Sequence, residues 1–139
     1  MDATVNLVFA LMLGFTIKHF IADYPLQAFP YMYRNKGTYG HPGGQVHAAI
    51  HGVFTAMTLI AVSILCNIPM TAAAVMLITA LSFADSVVHY HIDWAKMNIN
   101  KKMGWGPTTH EEFWVLLGAD QFLHGLTYIW LSYEFVKRI

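Results

Sequence analysis

The stretch TVNLVFALMLGFTIKHFIADY, Thr4–Tyr24, decides the fold. It is an apolar run close to the ~20 residues that a helix needs to cross the hydrocarbon core of a bilayer. Near its end it carries His19 and Asp23, four residues apart, and Gln27 follows after four more. Four residues advance a helix by about 400°, one turn plus 40°, so these side chains share one stripe. Ionisable groups are expensive inside a membrane and tend to mark function, although one such pair alone weighs evenly between a functional and a structural role.

Composition supports the membrane reading. Of 139 residues, 56% are hydrophobic and 12% charged, and the mean hydropathy is +0.45. Soluble domains carry about 25% charged residues, so this chain lacks the polar surface to cover itself in water. A formal net charge of +0 leaves no basic surplus to meet phosphates, which argues against a nucleic-acid partner. Cys66 is the single cysteine, which excludes an intrachain disulfide and a cysteine-rich metal site. The N-terminus MDATVNLVFALMLGF starts acidic and offers no small-residue cleavage site, so it reads as a retained first helix.

Three further apolar segments follow, at about Gln45–Cys66, Met70–Trp94 and Glu112–Phe135, separated by the Gly/Pro loop NKGTYGHPGG, the tight CNIPMT turn and a polar connection. Strands are excluded because an isolated strand cannot satisfy its backbone in lipid. The expected architecture is all-α: one domain, residues 1–139, forming an antiparallel four-helix transmembrane bundle. Thr109 and Glu112 have capping-box spacing at the start of the fourth helix, which gives Glu111 and Glu112 a sufficient structural role. Arg34 and Lys36 lie in the first loop, and Lys96, Lys101 and Lys102 follow the third helix; the opposite side has only Lys137 and Arg138. This bias places both long loops in the cytoplasm and the termini outside, in a bacterial inner membrane. Tyr31, Tyr33, Trp94, Trp105 and Trp114 are expected to form an aromatic belt at that interface.

Every helix carries a four-spaced pair drawn from His and Asp. His19 and Asp23 end the first, His47 and His51 (HAAIH) begin the second, His89 and Asp93 (HYHIDWAK) end the third, and Asp120 and His124 (DQFLH) lie early in the fourth. In an up-down-up-down bundle all four pairs fall toward one membrane face. A charge at a helix centre costs ~3 kcal/mol on insertion scales. Several converging at one depth make a large penalty, which a metal offsets by neutralising carboxylates and engaging imidazoles. The eight residues His19, Asp23, His47, His51, His89, Asp93, Asp120 and His124 are therefore the expected ligands for one or two divalent ions. The all-N/O donor set suits zinc first, with iron or manganese as alternatives.

Other residues are set aside. His91 lies about 200° round the helix from His89 and should contact a neighbouring element. His41 and His110 sit in loop and helix-start positions where surface roles suffice. Asp85 falls on the His89 stripe but deeper, as a partner for Lys18 or Lys96. Pro25 is expected to kink the chain between Asp23 and Gln27, and Gln27 and Gln121 flank the stripes where they could orient a ligand or bind substrate.

The pieces HFIADYPLQ, Lys36 in the following loop, HAAIH, HYHIDWAK and DQFLH together resemble an uncharacterised family of small bacterial and phage inner-membrane proteins, a domain of unknown function. The resemblance runs from His19 to His124 and implies a multi-pass helical membrane protein, often phage-borne, without supplying a reaction. The HYH doublet stands where that family more often shows one histidine; helical geometry favours His89 over His91.

The chemistry expected of such a site is metal-dependent hydrolysis of a lipid-like or amphiphilic substrate, with Asp93 or Asp120 taking the proton and Lys96 and Lys36 meeting an anionic head group. The alternatives are an iron-dependent membrane oxidoreductase, or a non-enzymatic role as an ion conduit, as a partner of a host membrane protein or as a homo-oligomer. A conduit needs a polar path across the full thickness, whereas GVFTAMTLIAVSIL, Gly52–Leu65, offers only Thr and Ser.

Overall fold

The computed structural model describes residues 2–139, which form helices and no strand. Helix α1 spans Ala3–Ile21 and continues as a π turn over Ala22–Leu26; a single short turn, α2, covers Pro30–Tyr33; α3 is Pro42–Leu65, α4 Ala72–Met103 and α5 Glu111–Arg138. The four long helices form a square in section: α1 packs on α3 and α5, α4 packs on α3 and α5, and the backbones of the diagonal pairs stay apart.

Three of these segments, Ala3–Leu26, Pro42–Leu65 and Ala72–Met103, are long and apolar enough to cross a membrane. The expectation of four is corrected at α5. That helix is 28 residues long, but Asp120, Gln121, His124, Thr127 and Ser132 interrupt its apolar run.

Boundaries differ from the sequence reading where local chemistry decides them. The third long helix does not stop at Trp94 but runs to Met103 and ends at Gly104, whose φ of 70° is left-handed. The N–H groups of Gly104 and Trp105 both return to the Asn100 carbonyl, a glycine-terminated Schellman closure. The second long helix starts at Pro42 rather than Gln45: proline at the first helical position loses no needed hydrogen bond. The His41 side chain caps it, accepting from the Gly43 N–H at 3.0 Å. Thr109 does not cap α5. Its hydroxyl is taken up by His110 Nδ1 at 2.8 Å, and His110 occupies the cap position without a side-chain bond.

The interior divides along its length. One end is apolar, built from Leu7, Leu11 and Phe15 of α1, Leu59 and Val62 of α3, Ile78 and Leu81 of α4, and Tyr128, Leu131 and Phe135 of α5. The other end buries Asp23, Lys36, His47, His51, His89, Asp93, Asp120 and His124. The outer faces are apolar too, with Phe9, Met57, Ile64, Met76, Phe83 and Phe122 exposed, as suits contact with lipid.

Candidate metal centre

The π turn sets the position of Asp23, the first candidate ligand. Pro25 has no N–H and its ring would collide with the carbonyl four residues back, so a regular helix cannot pass through it. The chain widens instead over Ala22–Leu26, with Pro25 inside the wide turn and Asp23 buried. Wide turns of this kind concentrate at functional sites. On α3, His47 and His51 both face inward with essentially no exposure, and His89 and Asp93 do so on α4. Close approach of α3 and α4 depends on Gly52, where a Cβ would run into the Ser86 hydroxyl and the Ser82 carbonyl.

Three imidazoles converge on one carboxylate oxygen. Asp23 Oδ1 lies 3.0 Å from His47 Nε2, 3.2 Å from His51 Nε2 and 3.5 Å from His89 Nε2. The Nε2 atoms of His47 and His89 are 3.1 Å apart. A tetrahedral ion with bonds of ~2.0–2.1 Å holds its ligand atoms ~3.3–3.4 Å from one another. Asp23, His47, His51 and His89 thus already stand at the edge lengths of such a tetrahedron, and they form a group able to hold a metal ion. The Nδ1 atoms of His47, His51 and His89 find no hydrogen-bond partner among the described residues. Stacking orients the rings instead: His51 lies on His89 with centroids 3.5 Å apart, and His89 on His124 at 4.1 Å.

His89, Asp93 and His124 make a second such group, sharing His89 with the first. Asp93 Oδ2 is 3.2 Å from both His47 Nε2 and His89 Nε2. It also pairs with the Lys36 ammonium, 2.6 Å away. Lys36 donates to Gln27 Oε1 at 2.8 Å. Lys96 spans the two remaining carboxylates, 3.5 Å from Asp93 Oδ1 and 2.8 Å from Asp120 Oδ2. Both lysines are thereby fixed against acidic partners rather than free in the loops.

His19 and Asp120 stand one layer out. The Gln121 amide nitrogen donates to Asp120 Oδ2 at 3.0 Å, which turns its carbonyl oxygen toward His19 Nε2, 2.9 Å away. That nitrogen therefore carries the proton, and Nδ1 accepts from the Tyr128 hydroxyl at 2.8 Å. His19 uses both ring nitrogens within the protein, and neither it nor Asp120 belongs to the two groups able to hold an ion. Asp120 Oδ1 and His124 Nε2 have no hydrogen-bond partner among the described residues. Below this layer Lys18 Nζ meets Asp85 Oδ2 at 2.5 Å, joined by the Thr55 hydroxyl at 2.6 Å. Lys18 also sits 4.4 Å above the Tyr128 ring. Asp85 thus pairs with Lys18, one of its two expected partners.

All eight expected residues are gathered at one end of the bundle, six of them within the two groups. His91 contacts the neighbouring segment as expected, 3.1 Å from the Tyr39 hydroxyl. Sequence reasoning missed Thr55 and Tyr128. Each lies four residues beyond a recognised pair, Thr55 after His51 and Tyr128 after His124, so extending the stripes by one step would have found them.

A cavity of about 230 Å³ opens beside the site, lined among others by Asp23, Gln27, Lys36, Lys96, Asn100 and Gln121. Residues 8–138 match the model of a family described as Protein of unknown function (DUF3307), and the chain belongs to that family. No curated protein and no solved structure matches it.

Proposed function

We propose that this member of the DUF3307 family is a membrane-embedded metalloprotein that hydrolyses an amphiphilic substrate at the polar end of its bundle. The observation that carries the reading is the convergence of three Nε2 atoms on Asp23 Oδ1 at 3.0–3.5 Å, the spacing of a tetrahedral site. Zinc suits these donors best, with iron or manganese as alternatives. A bound divalent ion lowers the pKa of a coordinated water and polarises a carbonyl or phosphoryl oxygen. The protein's own groups supply the rest. Asp23 belongs both to the ligand group and to the cavity wall, so a substrate in the cavity lies against the centre. Asp120 Oδ1, buried and without a donor, is the acceptor for the proton that water gives up. Asp93, gripped by Lys36, His47 and His89, orients the imidazoles. Lys96 borders the cavity and meets negative charge that develops there.

The Lys/Arg bias of the long loops supports placing this end at the cytoplasmic side of a bacterial inner membrane. The test is elemental analysis of the purified protein combined with turnover of a panel of lipid esters, amides and phosphoesters. A retained divalent ion, with hydrolysis abolished by Asp120→Asn while the ion stays, is expected. Full biological effect from the Asp93→Asn/Asp120→Asn double variant would overturn the hydrolase.

A further inference from the structure

The cavity next to the centre has a charge balance that an ion would invert. Asp23 lies on its wall with two ammonium groups, Lys36 and Lys96, and two further carboxylates, Asp93 and Asp120, stand behind the wall paired to those lysines. With neutral imidazoles this leaves one negative charge, and a divalent ion reverses it to one positive. The lysines flank Asp93, Lys36 on Oδ2 at 2.6 Å and Lys96 on Oδ1 at 3.5 Å. Each has three N–H donors. Lys36 spends one on Gln27 and sets its charge against Asp93, and Lys96 spends two on Asp93 and Asp120, so each keeps at least one among the described residues. Asn100, also on the wall, has a buried carbonyl oxygen with no partner among the described residues.

We propose, resting on the metal reading above, that this cavity binds the phosphoryl head group of an anionic amphiphile, and does so only when the centre holds its ion. A phosphoryl group presents several oxygens in different directions, which two ammonium donors and an ion can share; a carboxylate has two oxygens in one plane. A hydroxyl on the head group satisfies the Asn100 oxygen. The walls turn apolar at Tyr33, Met97, Phe113 and Leu117. About 230 Å³ is smaller than sites that enclose a whole drug-sized ligand, so the head enters and the chains stay in lipid.

The test uses the full-length protein, metal-loaded or stripped, with metal content measured on every sample. Radiolabelled inorganic phosphate is bound in detergent, and lipid retention from phosphatidylglycerol or phosphatidylcholine nanodiscs is read by native mass spectrometry. Loaded protein should retain phosphate, phosphatidylglycerol or both over phosphatidylcholine, and stripped protein should bind at least about tenfold less, as expected when a charge-assisted contact is lost. Preference for the lipid identifies a membrane source, and preference for phosphate a soluble one. Lys96→Met should weaken binding by about tenfold with the ion retained. Leu117→Trp, which fills the cavity without touching the ionic network, should block binding while the melting curve stays that of the parent. An ion retained with no phosphoryl ligand bound, or equal binding with and without the ion, overturns this inference and leaves the centre standing. No ion retained overturns both.

Discussion

His47 and His89 face each other across the α3–α4 interface with their Nε2 atoms 3.1 Å apart and a single carboxylate oxygen of Asp23 between their approaches. Both nitrogens converge on that oxygen, and an ion held there would need each to offer its lone pair, the form in which imidazole ligates. Alanine at His47, His51 or His89 should therefore abolish metal retention. His19→Ala removes only an outer partner and should weaken affinity by about 10- to 100-fold without changing saturating stoichiometry. His41→Ala and His110→Ala control for histidine content and should match the parent. Metal-to-protein ratios across this series, from elemental analysis, check it.

Removing the ion should cost stability. An ion that binds only the assembled bundle stabilises it by about 2.7 kcal/mol at a free concentration one hundred times its Kd. A chelator should lower the melting temperature of the detergent-solubilised protein, and added zinc should restore it. Because protons compete with the ion for the imidazoles and carboxylates, the protection should shrink as pH falls and return as pH rises. Melting curves with and without chelator at a series of pH values measure this. Identical curves throughout would contradict the centre.

The Lys18–Asp85 pair joins α1 and α4 across the diagonal of the bundle, and both partners are buried. Lys18→Met strands the Asp85 carboxylate with only Thr55 for company and should destabilise by about 3–5 kcal/mol. The double variant Lys18→Met/Asp85→Leu removes both charges and should recover most of that loss. Denaturant titration in mixed micelles gives the comparison, and equal losses in single and double variants would mean that the pair is not coupled.

Gly52 controls how closely α3 approaches α4. In Gly52→Ala the Ser86 hydroxyl can rotate away, but the Ser82 carbonyl belongs to the backbone and cannot. The expected cost is about 1–3 kcal/mol from overpacking. Because His51 precedes this position and must meet His89, Gly52→Val should also lower metal affinity although it alters no ligand. Denaturation and metal titration on the two variants read both effects.

Much of the site was legible because its information is periodic. Pairs such as His47/His51 and Asp120/His124 report their shared face through four-residue spacing, and alternation of helix direction puts all four pairs at one end. The unreadable parts lie where backbone conformation, not period, decides. Pro25 announces a disturbance, but whether the chain kinks or widens depends on packing, and the observed π turn was not anticipated. Lys36 was expected at the site to meet a head group, but its pairing with Asp93 was not readable, because its place in a loop fixes no face. The overestimate of four spans came from reading length ahead of polarity in α5, whose interior face is polar because it completes the site.

The split between an apolar end and a polar end would give assembly an order. Leu11, Leu59, Leu81 and Leu131 come one from each long helix and need nothing but one another to pack, so insertion and helix pairing can run to completion at that end while the carboxylates and imidazoles are still hydrated. On the metal reading, capture of an ion would then be the last step, drawing Asp23, His47, His51 and His89 together and expelling water from between them. A newly made chain would wait in the membrane half-zipped, and the supply of metal, rather than the speed of synthesis, would decide when it becomes competent.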